Sequence, residues 1–166
     1  MRPLILALLL ASSAQADDID RFTKLGDVLE LALPIAAGVC AYRQDRGPEF
    51  VAGLVVNQAV VNGLKGGLGH SSVNLRPDGN YEGFPSGHMA AATYGATSLA
   101  RKCYADRPGL KVVTYGLAAL VGLSRIAADR NDVWQVGAGA VVGYFANGIT
   151  FSSGPGSIGI GYSLKF

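Results

Sequence analysis

Apolar residues concentrate in five stretches, roughly 28–42, 50–64, 88–100, 112–127 and 133–151. Each is rich in Ala, Leu, Val and Gly, and none alternates strictly. That pattern predicts five helices rather than strands. Pro34 inside the first predicts a kink. Breakers separate the stretches: Arg46-Gly47-Pro48, the segment Gly66 to Pro85, Arg107-Pro108-Gly109, and Asp129 to Asp132. The tail from Ser152 differs. Ile158, Ile160, Tyr162, Leu164 and Phe166 recur every second residue, which is strand-like. One such strand closes no barrel, so a short ordered tail is expected. No internal repeat or linker interrupts the chain. The expected organisation is a leader over 1–16 and one all-α bundle over 17–166, its tail being 152–166.

The leader is read from Met1-Arg2, the apolar run Leu4 to Ala11, and Ser12-Ser13-Ala14-Gln15-Ala16. A basic start, a short apolar core and Ala-x-Ala are the layout of a secretory signal peptide cleaved after Ala16. The run is short for a spanning anchor, which needs ~20 residues. Export would place Cys40 and Cys103 where disulfides are permitted. Spacing does not say whether they meet, and two small buried hydrophobes are an equal reading.

Composition narrows the class. Charged residues are 16% and hydrophobic residues 49% of 166, with mean hydropathy +0.29. Disorder is excluded by that apolar content. A net charge of +2 argues against a nucleic-acid partner. The 23 glycines suit closely packed helices, as in membranes. A five-crossing topology puts Arg43, Arg46, Arg101, Lys102, Arg107 and Lys111 inside, following the positive-inside rule. Asn57, Gln58 and Asn62 in the second helix argue the other way. The expected location is therefore exported. It is an inner-membrane bundle with its site facing the periplasm, or a soluble periplasmic bundle.

Three short motifs carry candidate chemistry. They are Lys65 with Arg76-Pro77, then Pro85-Ser86-Gly87-His88, then Ser124-Arg125 with Asn131 and Gln135. A phosphate ester needs its oxygens neutralised; Lys supplies a point charge and Arg a bidentate fork. Ser86 and Gly87, just before a helix, add a hydroxyl and backbone N–H groups suited to an anion. His88 is placed to protonate a leaving alkoxide. Taken singly, each residue has a plain reading as a solvated helix end or headgroup anchor. The ordered set is harder to obtain by accident, since a given four-residue string occurs in ~1 in 1,000 chains of this size. No Cys/His cluster has metal-ligand spacing, so neither metal nor other cofactor is implied.

The set resembles the type 2 phosphatidic acid phosphatase / vanadium haloperoxidase superfamily. Its pattern is Lys-x6-Arg-Pro, Pro-Ser-Gly-His and Ser-Arg-x5-His-x3-Asp. The resemblance implies a helical bundle and metal-independent phosphate hydrolysis through a phosphohistidine. It implies as substrate a lipid phosphate, a polyprenyl diphosphate or a small phosphate ester, and so a membrane as a partner. It says nothing of oligomeric state. Carried over, Lys65, Arg76, Ser86, Gly87 and Arg125 match phosphate ligands and His88 the general acid. Ten residues rather than six separate Lys65 from Arg76.

The third motif departs from the pattern. Asn131 stands where the family has its nucleophilic His, and Gln135 where it has the Asp that orients that His. An amide nitrogen is not basic and is no useful nucleophile. Three readings stay open: a member that binds phosphate without hydrolysing it, a substituted copy of an active parent, or rescue by Asp132 or His70. A haloperoxidase is disfavoured, because vanadate is held by the same missing His.

Overall fold

The computed structural model describes the backbone of residues 2–154 and 157–163, and side chains over 17–150 and at a few positions of the tail. The leader reading rests on side chains outside those described, and the tail's Leu164 and Phe166 also lie outside them.

Five α-helices form: α1 (Arg2–Arg43), α2 (Gly47–Leu68), α3 (Gly87–Ser98), α4 (Pro108–Ala127) and α5 (Val133–Ala146). The all-α bundle is as expected. A π-helical turn, Leu99–Cys103, extends α3, and a short 3-10 turn, Ser72–Asn74, lies in the loop after α2. α1 reaches much further toward the N-terminus than the apolar pattern alone predicted. Its polar turns are still helical, with Lys24 and Asp20 paired one turn apart at 2.6 Å. Pro at the start of α2 and α4 occupies a position whose N–H would be unpaired anyway.

α3 is the axis of the bundle. Residues Ala90 to Ser98 are all buried, because small side chains on every face let neighbours approach from all sides. A Cβ at Gly143 would collide with the Ala90 carbonyl, so α5 lies directly against α3. Tyr94 spans to α2: its hydroxyl donates to the Phe50 carbonyl at 2.6 Å and its ring tilts against Phe50. Leu33, Ala37 and Ala41 of α1 and Ala118 and Val121 of α4 complete this core.

One expectation is corrected and one open question is settled. The fifth helix ends at Ala146 rather than near 151. Asn147 caps it by donating from Nδ2 to the Tyr94 carbonyl at 2.7 Å, and the chain turns at Gly148. Next comes an antiparallel hairpin, β1 (Ile149–Gly154) with β2 (Ser157–Tyr162), in register Ile149 to Tyr162. The period-two tail therefore pairs with Ile149–Phe151, read as helix, and with Ser152–Gly154, the start of the tail itself. Second, Cys40 and Cys103 form a disulfide, with Cα atoms 6.4 Å apart. It ties the end of α1 to the π-helical turn.

Apolar side chains also cover the outside. Val28, Leu31 and Ile35 of α1, Val55 of α2, Val112 of α4 and Trp134 of α5 are all more than half exposed. Two helical segments are long and apolar enough to cross a membrane by length and composition, Asp17–Arg43 and Pro108–Ala127. α3, at 12 residues, rises only about 18 Å, short of a ~30 Å hydrocarbon core.

Candidate functional site

The three motifs meet at one end of the bundle, around a cavity of about 220 Å³ lined by Thr23, Asp27, Arg76, His88, Arg125, Arg130 and Asn131. Lys65 ends α2 and Arg76 lies in the following loop. Both donate to the Glu82 carbonyl, at 2.6 and 3.2 Å. Glu82 presents that carbonyl from a left-handed backbone conformation, φ 67°. The loop is stapled by buried Asn74. Its amide donates to the Lys65 and Gly69 carbonyls, and its oxygen accepts from Phe84 N.

Ser86 is the N-cap of α3, which brings Gly87 and His88 to the rim in its first turn. Ser86 Oγ donates to Asn131 Oδ1 at 3.0 Å. Asn131 Nδ2 donates to the Gly83 carbonyl at 2.8 Å and to Gln135 Oε1 at 3.1 Å. Gln135 Nε2 in turn donates to the Leu75 and Val73 carbonyls. Asn131 is thus a buried amide with oxygen and nitrogen both engaged. It acts here as a brace between the second motif, the loop and α5.

The rescue readings find no support in this geometry. Asp132 caps α5, accepting from Gln135 N at 2.7 Å in a reciprocal capping box. His70 sits in the loop with its ring edge-on to Tyr81. Neither lines the cavity.

Arg125 is almost fully buried at the end of α4. It donates to the Thr23 carbonyl and pairs with Asp27 Oδ1, both at 2.9 Å. Gly26 makes this possible: a Cβ there would run into Ser124 Oγ, so only glycine lets α1 approach the Ser124-Arg125 turn so closely. Asp27 Oδ1 also lies 3.4 Å from His88 Nε2, and Glu30 Oε2 lies 3.0 Å from the same nitrogen. These two carboxylates of α1 are site residues that sequence reasoning missed. The signal available was an acidic pair one turn apart in an apolar helix, beside a glycine. Asp27, Glu30 and His88 also present ligand atoms within 4.8 Å of one another, a spacing that would hold a cation. Arg125 already supplies one to Asp27.

His88 stands at the polar rim, outside the two segments long and apolar enough to cross a membrane. Burial, and then the Arg125 charge, pull its pKa down to about 4 from 6.5, with Asp27 opposing. Its imidazole is therefore neutral at neutral pH. Arg125 thus has the protein's own Asp27 as its counter-ion.

The family model for the PAP2 superfamily matches residues 49–157, more than half of the chain. A lipid A 1-phosphatase of Porphyromonas gingivalis is 35% identical over 95 residues, covering 54% of this chain and 21% of that protein. The chain thus spans about a fifth of that relative's length. No solved structure matches. Asp27 and Glu30 lie outside the family-matched residues.

Proposed function

The chain belongs to the PAP2 superfamily, and from that premise we propose that its cage takes the phosphate of a lipid phosphate or polyprenyl diphosphate on a phosphatase scaffold whose hydrolysis is silenced by Asn131. The observation that carries this reading is the convergence of Arg76, His88, Arg125 and Asn131 on one cavity, with Lys65 held beside Arg76 on the Glu82 carbonyl.

The chemistry follows from those positions. Arg125 offers a buried guanidinium to the phosphate oxygens, in a site where desolvation strengthens charge-assisted bonds. An arriving phosphate oxygen takes the place of Asp27. Lys65 and Arg76 add charge from the loop side. The incoming dianion raises the proton affinity of neutral His88, which then serves as the acid for the leaving alkoxide. Attack on phosphorus is the missing step, because the amide of Asn131 has no basic lone pair.

A lipid substrate is supported by the exposed apolar faces of α1, α2 and α4, which suit a bilayer, and by the likeness to the Porphyromonas lipid A 1-phosphatase. The second reading is a headgroup-binding member that never turns over. It is favoured by the hydrogen bonds that commit Asn131 to a structural role.

Both readings require the cage to bind an oxyanion. Arg125→Ala is expected to weaken orthovanadate binding by about 100-fold, roughly 2–3 kcal/mol for a charge-assisted contact. Calorimetry on the detergent-solubilised chain measures it. Unchanged affinity would remove the assignment of the site.

A further inference from the structure

The opposite end of the bundle holds a second polar cavity, of about 540 Å³. Asp27 and Arg43 are sixteen residues apart on α1, so the two ends stand about 24 Å apart along the helix. Among the residues that line the cavity are Arg46 before α2, Glu49 in α2, Arg101 and Lys102 in the π-helical turn, Asn147 capping α5, and Thr150 of β1. Its size lies within the range of small-molecule sites.

The charges in this cavity do not balance. Three cations face one carboxylate. Glu49 Oε1 stands 3.7 Å from Lys102 Nζ, a long pair, and both side chains are largely buried. Burial pulls the Lys102 pKa down; Glu49 opposes this, while Arg46 and Arg101 add to it. Like charges are thus crowded with too little counter-charge among them. Each is held in place all the same. Arg101 lies flat over the Tyr144 ring, 4.3 Å from its centroid, and donates to the Tyr144 hydroxyl. Arg46 donates to Gln44 Oε1, while Gln44 Nε2 donates to the Lys102 carbonyl at 3.2 Å. The neighbouring disulfide fixes the turn that carries Arg101 and Lys102. In the wall, buried Asn147 donates to the Tyr94 carbonyl, while its Oδ1 has no hydrogen-bond partner among the described residues. Leaving a buried acceptor unpaired is unfavourable.

We propose that this cavity is a second phosphate-binding site, separate from the cage. Arg46, Arg101 and Lys102 hold the phosphate oxygens. The Asn147 oxygen accepts from a hydroxyl or ammonium on the same ligand. A phosphate in a phospholipid headgroup and a free phosphate share this chemistry.

The test uses the full chain in detergent with Arg125→Ala, so that binding at the cage is weakened and the charge variants report on the far cavity. The probes are inorganic phosphate, dihexanoylphosphatidylglycerol, and dihexanoylphosphatidylethanolamine, each at matched ionic strength. Thermal unfolding and calorimetry report binding. The expected result is that a probe raises the unfolding midpoint. Arg46→Gln with Lys102→Gln should then weaken binding at least tenfold, and Glu49→Gln should tighten it severalfold by removing the competing anion. A response to inorganic phosphate supports the site with a free anion as ligand. A response to the lipids alone supports it with a headgroup. No response to any probe would overturn the proposal, as would a response unchanged in the charge variants. Should the double variant fail to fold, Glu49→Gln decides: tighter binding supports the site, and equal or weaker binding overturns it.

Discussion

The two ends of the bundle spend similar side chains in different ways. At the cage end the chain itself satisfies the cations: Arg125 holds Asp27 and the Thr23 carbonyl, Lys65 and Arg76 share the Glu82 carbonyl, and Arg130 faces Asp78. At the far end three cations crowd one carboxylate around a cavity more than twice as large. The cage end is shaped by hydrogen bonds through Asn74, Asn131 and Gln135. The far end is tied covalently by Cys40–Cys103. The difference teaches that a cation matched by an internal carboxylate is not the same as one left in excess of counter-charge. A ligand entering the cage must displace an internal carboxylate, whereas one entering the far cavity relieves a repulsion. The disulfide also bears on topology. The six Lys/Arg that put the far end inside conflict with a bond that persists in oxidising compartments.

The largest expected effect separates the two ends by stability. Cys40→Ser with Cys103→Ser should cost about 4 kcal/mol in the chain-entropy account, given the separation of 63 residues. Vanadate binding at the cage should survive it below the new midpoint. Thermal unfolding beside calorimetry checks both; loss of binding in the folded variant would show that the ends are not independent.

Asn74→Ala should cost less, roughly 2–3 kcal/mol, because two carbonyls and the Phe84 amide lose their partner. It should also weaken vanadate binding, since the Lys65–Arg76 loop loosens. The same variant should leave the far cavity's response to phosphate unchanged.

The smallest effect concerns the internal anion. Asp27→Asn should tighten vanadate binding about tenfold at pH 7, equivalent to about 1.4 kcal/mol. It should also move the His88 titration below its value of about 4, because Asp27 is the charge that raises it. The sign is definite: removing a nearby anion disfavours the protonated imidazole. Ring NMR shifts of His88 measure this. An upward shift, or weaker vanadate binding, would show that Asp27 supports the anion rather than competing with it.

Much of this was legible in the sequence, and the reason is physical. Helices follow from apolar runs too long and too irregular for strands, and the motif side chains meet because they occupy the same end of each helix. Asp27 and Glu30 were not legible, since two acids in an apolar helix read as a solvated face until α4 is packed against it through Gly26. The disulfide was hidden for a similar reason: Cys40 and Cys103 are brought together only by the packing of α1 on the extension of α3. The hairpin was misread because Ile149 and Thr150 continue the apolar run of α5, and the stop signal is a side-chain bond from Asn147 to another helix.

The most direct test compares this chain with Asn131→His on an aryl phosphate, phosphatidic acid and a polyprenyl diphosphate. The account predicts negligible turnover for the chain and a gain of at least about 1,000-fold for Asn131→His, the scale on which nucleophile and base groups contribute. Comparable turnover by the two proteins would contradict it, because hydrolysis would then proceed without a basic group at position 131.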